Sequence, residues 1–255
     1  ALPRTDVSAR DLLRSLVGDD VIEVFFARYV LKMWGLDLDQ LPADIMRRVM
    51  VRSGPQDGYF LKDRFQAVPK NGYVALFRNI LDHPRIRVVL NQPFDLRIEA
   101  EFDFIFNSMA IDAYFGFRHG PLGYRSLRFH TARQSSDTSR GLTTHNMTDQ
   151  GPVTRITHWH NIAGHQVVPN RFVTTTETPC SSDSNGDQRF YPVRTLDGRF
   201  DRIHRRYLRL AAERADRMIF VGRCGTYRYL DMAQVVMQSL QLSRNWLRMA
   251  GTVPA

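Results

Sequence analysis

The stretch Val221-Gly-Arg-Cys-Gly-Thr-Tyr-Arg-Tyr-Leu-Asp-Met-Ala-Gln-Val-Val236 begins where the apolar run Met218-Ile-Phe-Val221 ends, and it leads into an apolar repeat of helical period. It predicts a strand, a tight loop and a helix. Gly222 and Gly225 permit the turn, and Asp231 stands where a helix N-cap belongs. Such a junction directs free backbone N–H groups toward whatever lies beyond the strand, commonly a phosphate.

The side chains of this junction distinguish it from an ordinary connection. Arg223, Tyr227, Arg228 and Tyr229 crowd into seven residues. Most strand–loop–helix junctions carry no ligand, but a purely structural turn rarely needs two arginines and two tyrosines. We therefore interpret the stretch as a candidate binding junction.

Outward from the junction, the pattern predicts an α/β chain of mixed α+β character. Apolar residues recur at helical spacing, with a break at Gly18, over positions 6–34, 73–81 and 201–214. Short apolar runs predict strands at 86–90, 102–106 and 218–221. After position 124 alternation predicts an inserted antiparallel sheet, with strands at 127–131, 141–147, 153–160 and 172–178.

A pair of arginines lies between two loops in the first quarter of the chain. Gly35 ends a predicted helix, a polar loop follows, and a short helix then carries Arg47 and Arg48 before the turn residues of 53–58. This arrangement is typical of a mobile flap that grips an anion. An exposed basic helix end would give the same pattern.

The net charge of +9 predicts an anionic partner. Only three of the 35 basic residues are lysine, and the arginines are scattered, which argues against a nucleic-acid-binding arm. Arginine suits bidentate contacts to a diphosphate, although a general preference for arginine explains the same count. No membrane span or signal peptide is recognisable, so we expect a cytoplasmic protein.

The histidines at positions 158, 160 and 165 raise the question of a metal site. We expect none, because no carboxylate or cysteine is placed in the sequence to complete a ligand set with His158, His160 and His165. The Gly-x-Ser-x-Gly, Walker and Gly-x-Gly-x-x-Gly motifs are also absent. Spacing alone therefore names no reaction.

Several stretches, spread over nearly the whole chain, share their residues and order with one enzyme family. They include Arg28-Tyr-Val-Leu-Lys-Met-Trp-Gly35, Leu41-Pro-Ala-Asp-Ile-Met-Arg-Arg-Val-Met-Val-Arg52, Asp63-Arg-Phe-Gln-Ala-Val-Pro69, Ile111-Asp-Ala-Tyr-Phe115, Leu122-Gly-Tyr-Arg-Ser-Leu-Arg-Phe129, Val153-Thr-Arg-Ile156, Tyr191-Pro-Val193 and 222–232. Together they resemble the bacterial UDP-galactopyranose mutases. Those flavoenzymes interconvert the six- and five-membered ring forms of UDP-galactose.

The resemblance implies the remainder of a Rossmann-like FAD-binding fold, with a helical segment and an inserted antiparallel sheet. It implies four segments: a helical substrate-binding segment with a mobile arginine loop, an α/β part of the flavin domain, an antiparallel substrate domain and a return to the flavin domain, at 1–52, 53–123, 124–200 and 201–255. The implied reaction passes through an adduct between the sugar and N5 of reduced FAD, without a metal.

The resemblance also implies roles for individual residues. Arg48 and Arg155 match the two catalytic arginines that clamp the substrate diphosphate, a role suited to planar bidentate donors. The residues that match the substrate pocket are Phe25, Tyr29, Trp34, Tyr59, Asn146, Tyr191 and Tyr229. Those that match the flavin contacts are Arg223, Tyr229, Asp231 and Met232.

The chain departs from the family pattern in one main respect, because the Gly-rich unit that holds the ADP half of FAD is not in its sequence. Three explanations remain open: a fragment of a longer polypeptide, a homo-oligomer or subunit whose partner chain brings the Gly-rich half, and a diverged, flavin-free protein that binds a nucleotide sugar. A nucleic-acid-binding protein is disfavoured, because the aromatic residues form no recognisable base-stacking platform.

Overall fold

The computed structural model describes residues 7–48, 51, 64–162 and 168–251. Its α-helices are α1 Ala9–Val17, α2 Asp19–Val21, α3 Arg28–Trp34, α4 Gly72–Leu81, α5 Ile111–Tyr114, α6 Arg199–Ala212, α7 Gly222–Gly225 and α8 Met232–Met249. Its strands are β1 Ile105–Asn107, β2 Tyr124–Gln134, β3 Thr144–Asn146, β4 Arg155–His158, β5 Phe172–Ser181, β6 Tyr191–Pro192 and β7 Met218–Phe220. The predicted mixture of helix and sheet is confirmed.

Two helices in succession open the described chain, as predicted. Ser8 caps α1 through a capping box with Asp11, and Gly18, at φ 79°, ends it. A π-helical segment, Ile22–Ala27, then joins α2 to α3 without a break. Gly35 ends α3 in the left-handed conformation, with its N–H bonded to the carbonyl of Leu31.

The larger sheet is antiparallel throughout, with strand order β3-β4-β5-β2-β6. It confirms the predicted inserted sheet, although β2 and β5 are longer and β3 and β4 shorter than their sequence patterns indicated. The helices α1 and α3 pack against it in one apolar core, which contains Leu13, Ile22, Val30, Trp34, Leu127 and Val193. This packing fixes the end of α3 over the sheet.

The second sheet pairs β1 with β7 in parallel, with Phe106 opposite Ile219. Within the described residues it has these two strands alone, so the Rossmann-like fold that the resemblance implied is not confirmed. The strand predicted at 102–106 begins only at Ile105, and the one predicted at 86–90 is wrong. That segment is exposed along its length and pairs with no strand among the residues that the structure describes, and an unpaired strand leaves its backbone hydrogen bonds unmade.

The junction at 218–236 is a strand, one helical turn and the start of a long helix, as predicted. The turn is α7, and its Gly225 is required because a Cβ there would lie 2.9 Å from the carbonyl oxygen of Asn107 in β1. Asp231 caps α8 through a capping box with Gln234. The buried Tyr227 hydroxyl donates to the carbonyl of Gly123, at 3.0 Å. These contacts attach the junction to both sheets.

A buried ion pair ties α5 to the segment before β6. The carboxylate of Asp112 is fully buried and accepts a bond from Nη1 of Arg189 at 2.7 Å and from the backbone N–H of Leu122 at 2.8 Å. The guanidinium of Arg189 also lies 5.0 Å from the centre of the Tyr124 ring. Among the helices described, none combines the length and apolar character that crossing a membrane requires.

Candidate functional site

Aromatic and arginine side chains converge where the end of α3 meets the antiparallel sheet and the loop before α8. We call this group the arginine–aromatic cluster; it consists of Tyr29, Trp34, Asn146, Arg155, Glu177, Tyr191, Arg223 and Tyr229. Six of its members were assigned to substrate or catalysis by resemblance, and Arg223 to the cofactor. The structure brings these residues, far apart in sequence, into one site.

Arg155 provides the positive charge at the centre of the cluster. Its Nε donates to Oδ1 of Asn146 at 3.4 Å, and its Nη1 lies 3.8 Å from Oε1 of Glu177. Burial opposes its charge, but the hydroxyl of Tyr29 and the carboxylate of Glu177 outweigh burial and raise the pKa of Arg155. The side chain keeps 41% of its surface exposed. It is therefore a permanent cation that a ligand can reach.

Three rings form a wall beside this cation. Trp34 meets Tyr229 edge to face, with ring centres 5.7 Å apart, and Tyr229 meets Tyr191 in the same way at 5.3 Å. Burial, with Tyr229 adding to it, raises the pKa of Tyr191 to about 12. The Tyr191 hydroxyl thus stays protonated at neutral pH and can donate to an anion.

Arg223 packs against the rings of Tyr191 and Tyr229 and holds them in orientation. Its guanidinium lies 5.2 Å from the ring centre of Tyr191 and 5.0 Å from that of Tyr229. It donates to the carbonyl of Phe190 at 2.7 Å and, through Nε, to the carbonyl of Leu230 at 3.0 Å. These bonds attach the loop before α8 to the segment that leads into β6.

Two cations hold α3 in position over the sheet, and the sequence analysis missed both. Nζ of Lys32 donates to the carbonyls of Met147 and Val153, each at 2.7 Å, which bracket the turn between β3 and β4. Nε of Arg125, on β2, donates to the carbonyl of Met33 at 2.9 Å. The last carbonyls of a helix lack intrahelical partners. The only signal for these contacts in the sequence was a basic residue placed where it could reach the end of a helix.

Glu177 was also missed, although it is the closest carboxylate to Arg155 that the structure describes there. Strand pairing places the two residues directly opposite each other on β5 and β4. Burial raises the pKa of Glu177, while its attraction to Arg155 acts in the opposite sense. A single acidic residue among the threonines of β5 was the signal in the sequence. That its cross-strand neighbour is Arg155 follows from the register of the strands, which the sequence does not reveal.

Other predicted site residues are not gathered into the cluster. The Phe25 side chain is 58% exposed on the π-helical segment, and Met232 is 61% exposed at the start of α8. Asp231 caps α8. The side chain of Arg48, the whole of Tyr59 and the predicted turn at 53–58 lie outside the described residues, whereas the short helix predicted around Arg47 and Arg48 is the 3-10 helix Ala43–Arg48. Their assigned roles stay predictions.

The structure contradicts the reason given for expecting no metal site. Asp137 supplies the carboxylate that the sequence did not place, because its Oδ1 lies 3.1 Å from Nε2 of His160. One ligand atom from each of Asp137, His158 and His160 lies within 4.8 Å of the others. His165 is outside the described residues.

A cleft of about 620 Å³ lies next to the cluster but shares little with it. Its walls include Trp34, Arg125, Arg189 and Phe200, and not Arg155 or the tyrosines of the cluster. We place the functional site at the cluster, because the arginines of the cleft are engaged within the protein: Arg189 pairs with Asp112, and Arg125 donates to the carbonyl of Met33.

Comparison with known proteins identifies the family of the chain. The family model of UDP-galactopyranose mutase matches residues 24–229. The chain is 31% identical to a dTDP-fucopyranose mutase from Escherichia coli over 245 residues, 91% of this chain and 62% of the relative. It is 32% identical to a probable UDP-galactopyranose mutase from Klebsiella pneumoniae over 231 residues, 91% of this chain and 59% of the relative.

A UDP-galactopyranose mutase from Mycoplasma pneumoniae is 28% identical over 237 residues, 88% of this chain and 58% of the relative. The chain thus spans about three fifths of the length of the curated relatives that it matches. Its matched region contains every described member of the arginine–aromatic cluster. The chain belongs to the UDP-galactopyranose mutase family.

Proposed function

We propose that this chain is the nucleotide-sugar-binding part of an isomerase that interconverts UDP-galactopyranose and UDP-galactofuranose with reduced FAD. The observation that carries the proposal is the arginine–aromatic cluster, in which a cation that keeps its charge at any relevant pH stands beside three rings. The planar guanidinium of arginine suits bidentate contacts to a diphosphate, and the uracil offers a flat face for aromatic contact.

In this proposal the residues of the chain bind, orient and stabilise charge. Arg155 contacts the diphosphate and stabilises the negative charge that grows on UDP as its bond to the sugar breaks. The hydroxyls of Tyr191 and Tyr229 donate to the same group. Tyr29 and Asn146 fix the direction in which Arg155 points, because each shares a hydrogen bond with it.

The residues near α8 fit a flavin in part. Tyr229 belongs to the cluster and the exposed Met232 begins α8 beside it, so these two residues would contact the edge of the ring system. Arg223 is bonded to two backbone carbonyls and acts on the cofactor only by holding Tyr229. Reduced flavin, when bound, supplies an electron-rich nitrogen for attack on the anomeric carbon of the sugar.

The sharpest test of the function is conversion of UDP-galactofuranose to the pyranose form, followed by chromatography with FAD and dithionite. We expect conversion once a Gly-rich FAD-binding unit is supplied, covalently or as a second chain, because no Gly-x-Gly-x-x-Gly turn occurs in this sequence. Equal conversion without flavin would refute the cofactor assignment. A parallel assay with dTDP-fucopyranose, the sugar nucleotide in the name of the Escherichia coli relative, shows which of the two sugar nucleotides this protein converts.

The affinity for UDP is expected to depend on the protonation of Glu177. This carboxylate repels the diphosphate while charged, and its pKa is raised by burial, so protonation begins at a higher pH than for an ordinary glutamate. Lowering the pH through that raised pKa should therefore strengthen UDP binding. Glu177→Gln should bind UDP more tightly at neutral pH and should lose this part of the pH dependence.

Titration calorimetry over a pH series measures both effects. Because UDP itself titrates, the informative quantity is the difference between the wild-type protein and Glu177→Gln at each pH. Asp183→Asn, at an exposed carboxylate, is the matched control and should follow the wild-type curve. Weaker binding by Glu177→Gln at every pH would show that Glu177 acts by orienting Arg155 and not by repelling the ligand.

A further inference from the structure

Three histidines and one aspartate meet at the end of β4, apart from the arginine–aromatic cluster. His158 ends β4, His145 lies on β3, His160 follows in the 3-10 turn Trp159–Asn161, and Asp137 lies between β2 and β3. Strand pairing sets His145 opposite Ile156 and Asn146 opposite Arg155. Since successive residues of a strand face opposite sides of the sheet, His145 and His158 share the face that Arg155 does not occupy.

The separations suit ligands of one metal ion. Nε2 of His160 lies 3.1 Å from Oδ1 of Asp137. Two ligands at the usual distances from a tetrahedral zinc ion lie roughly 3.3 Å from each other. The ligand atom of His158 lies within 4.8 Å of both, so a shift of about one ångström would bring it into the same shell.

An unpaired ring nitrogen gives an independent reason to expect a ligand. The side chain of His158 is 2% exposed, and its Nδ1 is buried without a hydrogen-bond partner. A buried polar atom without a partner costs free energy that native structures rarely accept. A metal ion would accept the lone pair of a neutral imidazole and remove that cost.

Neighbouring contacts prepare the group for an ion. Nδ1 of His145 lies 3.0 Å from Nε2 of His158, which fixes the orientation of the His158 ring. The backbone N–H of Ser139 donates to Oδ1 of Asp137 at 2.8 Å. The amide of Asn161 donates to Oγ of Ser139 and thereby holds this loop against the 3-10 turn. Asp137 keeps 40% of its side chain exposed, which leaves a path from solvent.

We propose that Asp137, His158 and His160 bind a divalent transition-metal ion of the zinc type, with His145 orienting His158. Two imidazoles and one carboxylate favour zinc, cobalt or nickel over magnesium or calcium, which prefer oxygen ligands alone. Water completes the tetrahedron through the open side at Asp137. The ion fastens the connection between β2 and β3 to the end of β4 and stabilises this end of the sheet.

Metal uptake by the purified protein, free of any histidine tag, tests the proposal. Zinc titration by calorimetry should show saturable uptake of one ion per chain, and cobalt should give the intense visible absorption of a tetrahedral site. Zinc should raise the melting temperature, because a ligand of the folded state alone stabilises it. Magnesium should do neither. A wild-type protein that takes up neither zinc nor cobalt would refute the site.

Variants locate the ion. Asp137→Asn keeps an oxygen that accepts from Ser139 but removes the charge, and His160→Asn removes a ring nitrogen. Each of these two variants should weaken zinc binding by more than about 10-fold. His145→Asn, which removes the residue that orients His158, should weaken it by about 10- to 100-fold. His130→Asn changes an exposed histidine on β2 and should bind as the wild type does. If Asp137→Asn and His160→Asn, shown by circular dichroism to be folded, match His130→Asn, the ion binds elsewhere and the proposal is wrong.

Discussion

Arg155→Ala is expected to weaken UDP binding by roughly 10- to 100-fold, the equivalent of one charge-assisted hydrogen-bonding group at a partly desolvated diphosphate. The loss also leaves the half-buried carboxylate of Glu177 without its cation. Without Arg155 to offset its charge, that carboxylate would repel the ligand more strongly. Titration calorimetry with UDP measures the change.

Two further variants make this result specific. Arg155→Lys should recover only part of the affinity, because an ammonium cannot bridge Tyr29, Asn146 and a phosphate as the planar guanidinium does. Arg133→Ala removes an exposed arginine from β2 of the same sheet and should leave UDP binding unchanged. Equal affinities in Arg155→Ala and Arg133→Ala would exclude Arg155 from the diphosphate site.

Asp112→Ala is expected to lower the free energy of unfolding by about 3–5 kcal/mol, because it leaves the charge of Arg189 buried without its partner. The Arg189 side chain is only 10% exposed, and Asp112 is its one fully buried partner among the described residues. For a domain of this size the change corresponds to a melting temperature lower by roughly 6–20 °C. Thermal and denaturant unfolding monitored by circular dichroism measure it.

Asp187→Asn is the matched control, because Asp187 pairs with the same arginine from the surface. Its side chain is 56% exposed and meets Nη2 of Arg189 at 2.9 Å. An exposed pair of this kind contributes at most about 1 kcal/mol. A similar loss of stability in the two variants would show that burial does not determine the contribution of each carboxylate.

Local patterns of the sequence predicted the parts of the fold that local physics determines. Gly18 and Gly35 marked helix ends, and Asp231 marked a helix start, because capping depends on residues a few positions apart. Alternation predicted β2 and β5 because each has two unlike faces. The run at 86–90 has the composition of a strand, but a strand also needs a neighbour, which composition does not reveal.

The site was predictable as far as the family resemblance reaches. It gave Tyr29, Trp34, Arg155 and Tyr191, and the structure brings them together. Glu177 and Asp137 were not predictable in this way, because their partners follow from strand register and from the path of one connection. Resemblance identifies residues that match a known motif, whereas contacts between distant segments require the folded chain.

The π-helical segment Ile22–Ala27 has a consequence for how this region tolerates sequence change. A π turn holds one residue more than an α turn, so deletion of one residue there would let the segment relax to an α-helix while α2 and α3 keep nearly the same relative rotation. Tyr29 and Trp34 would then keep their alignment with the core that α1 shares. This segment is therefore expected to tolerate the deletion of one residue better than the α-helices on either side of it.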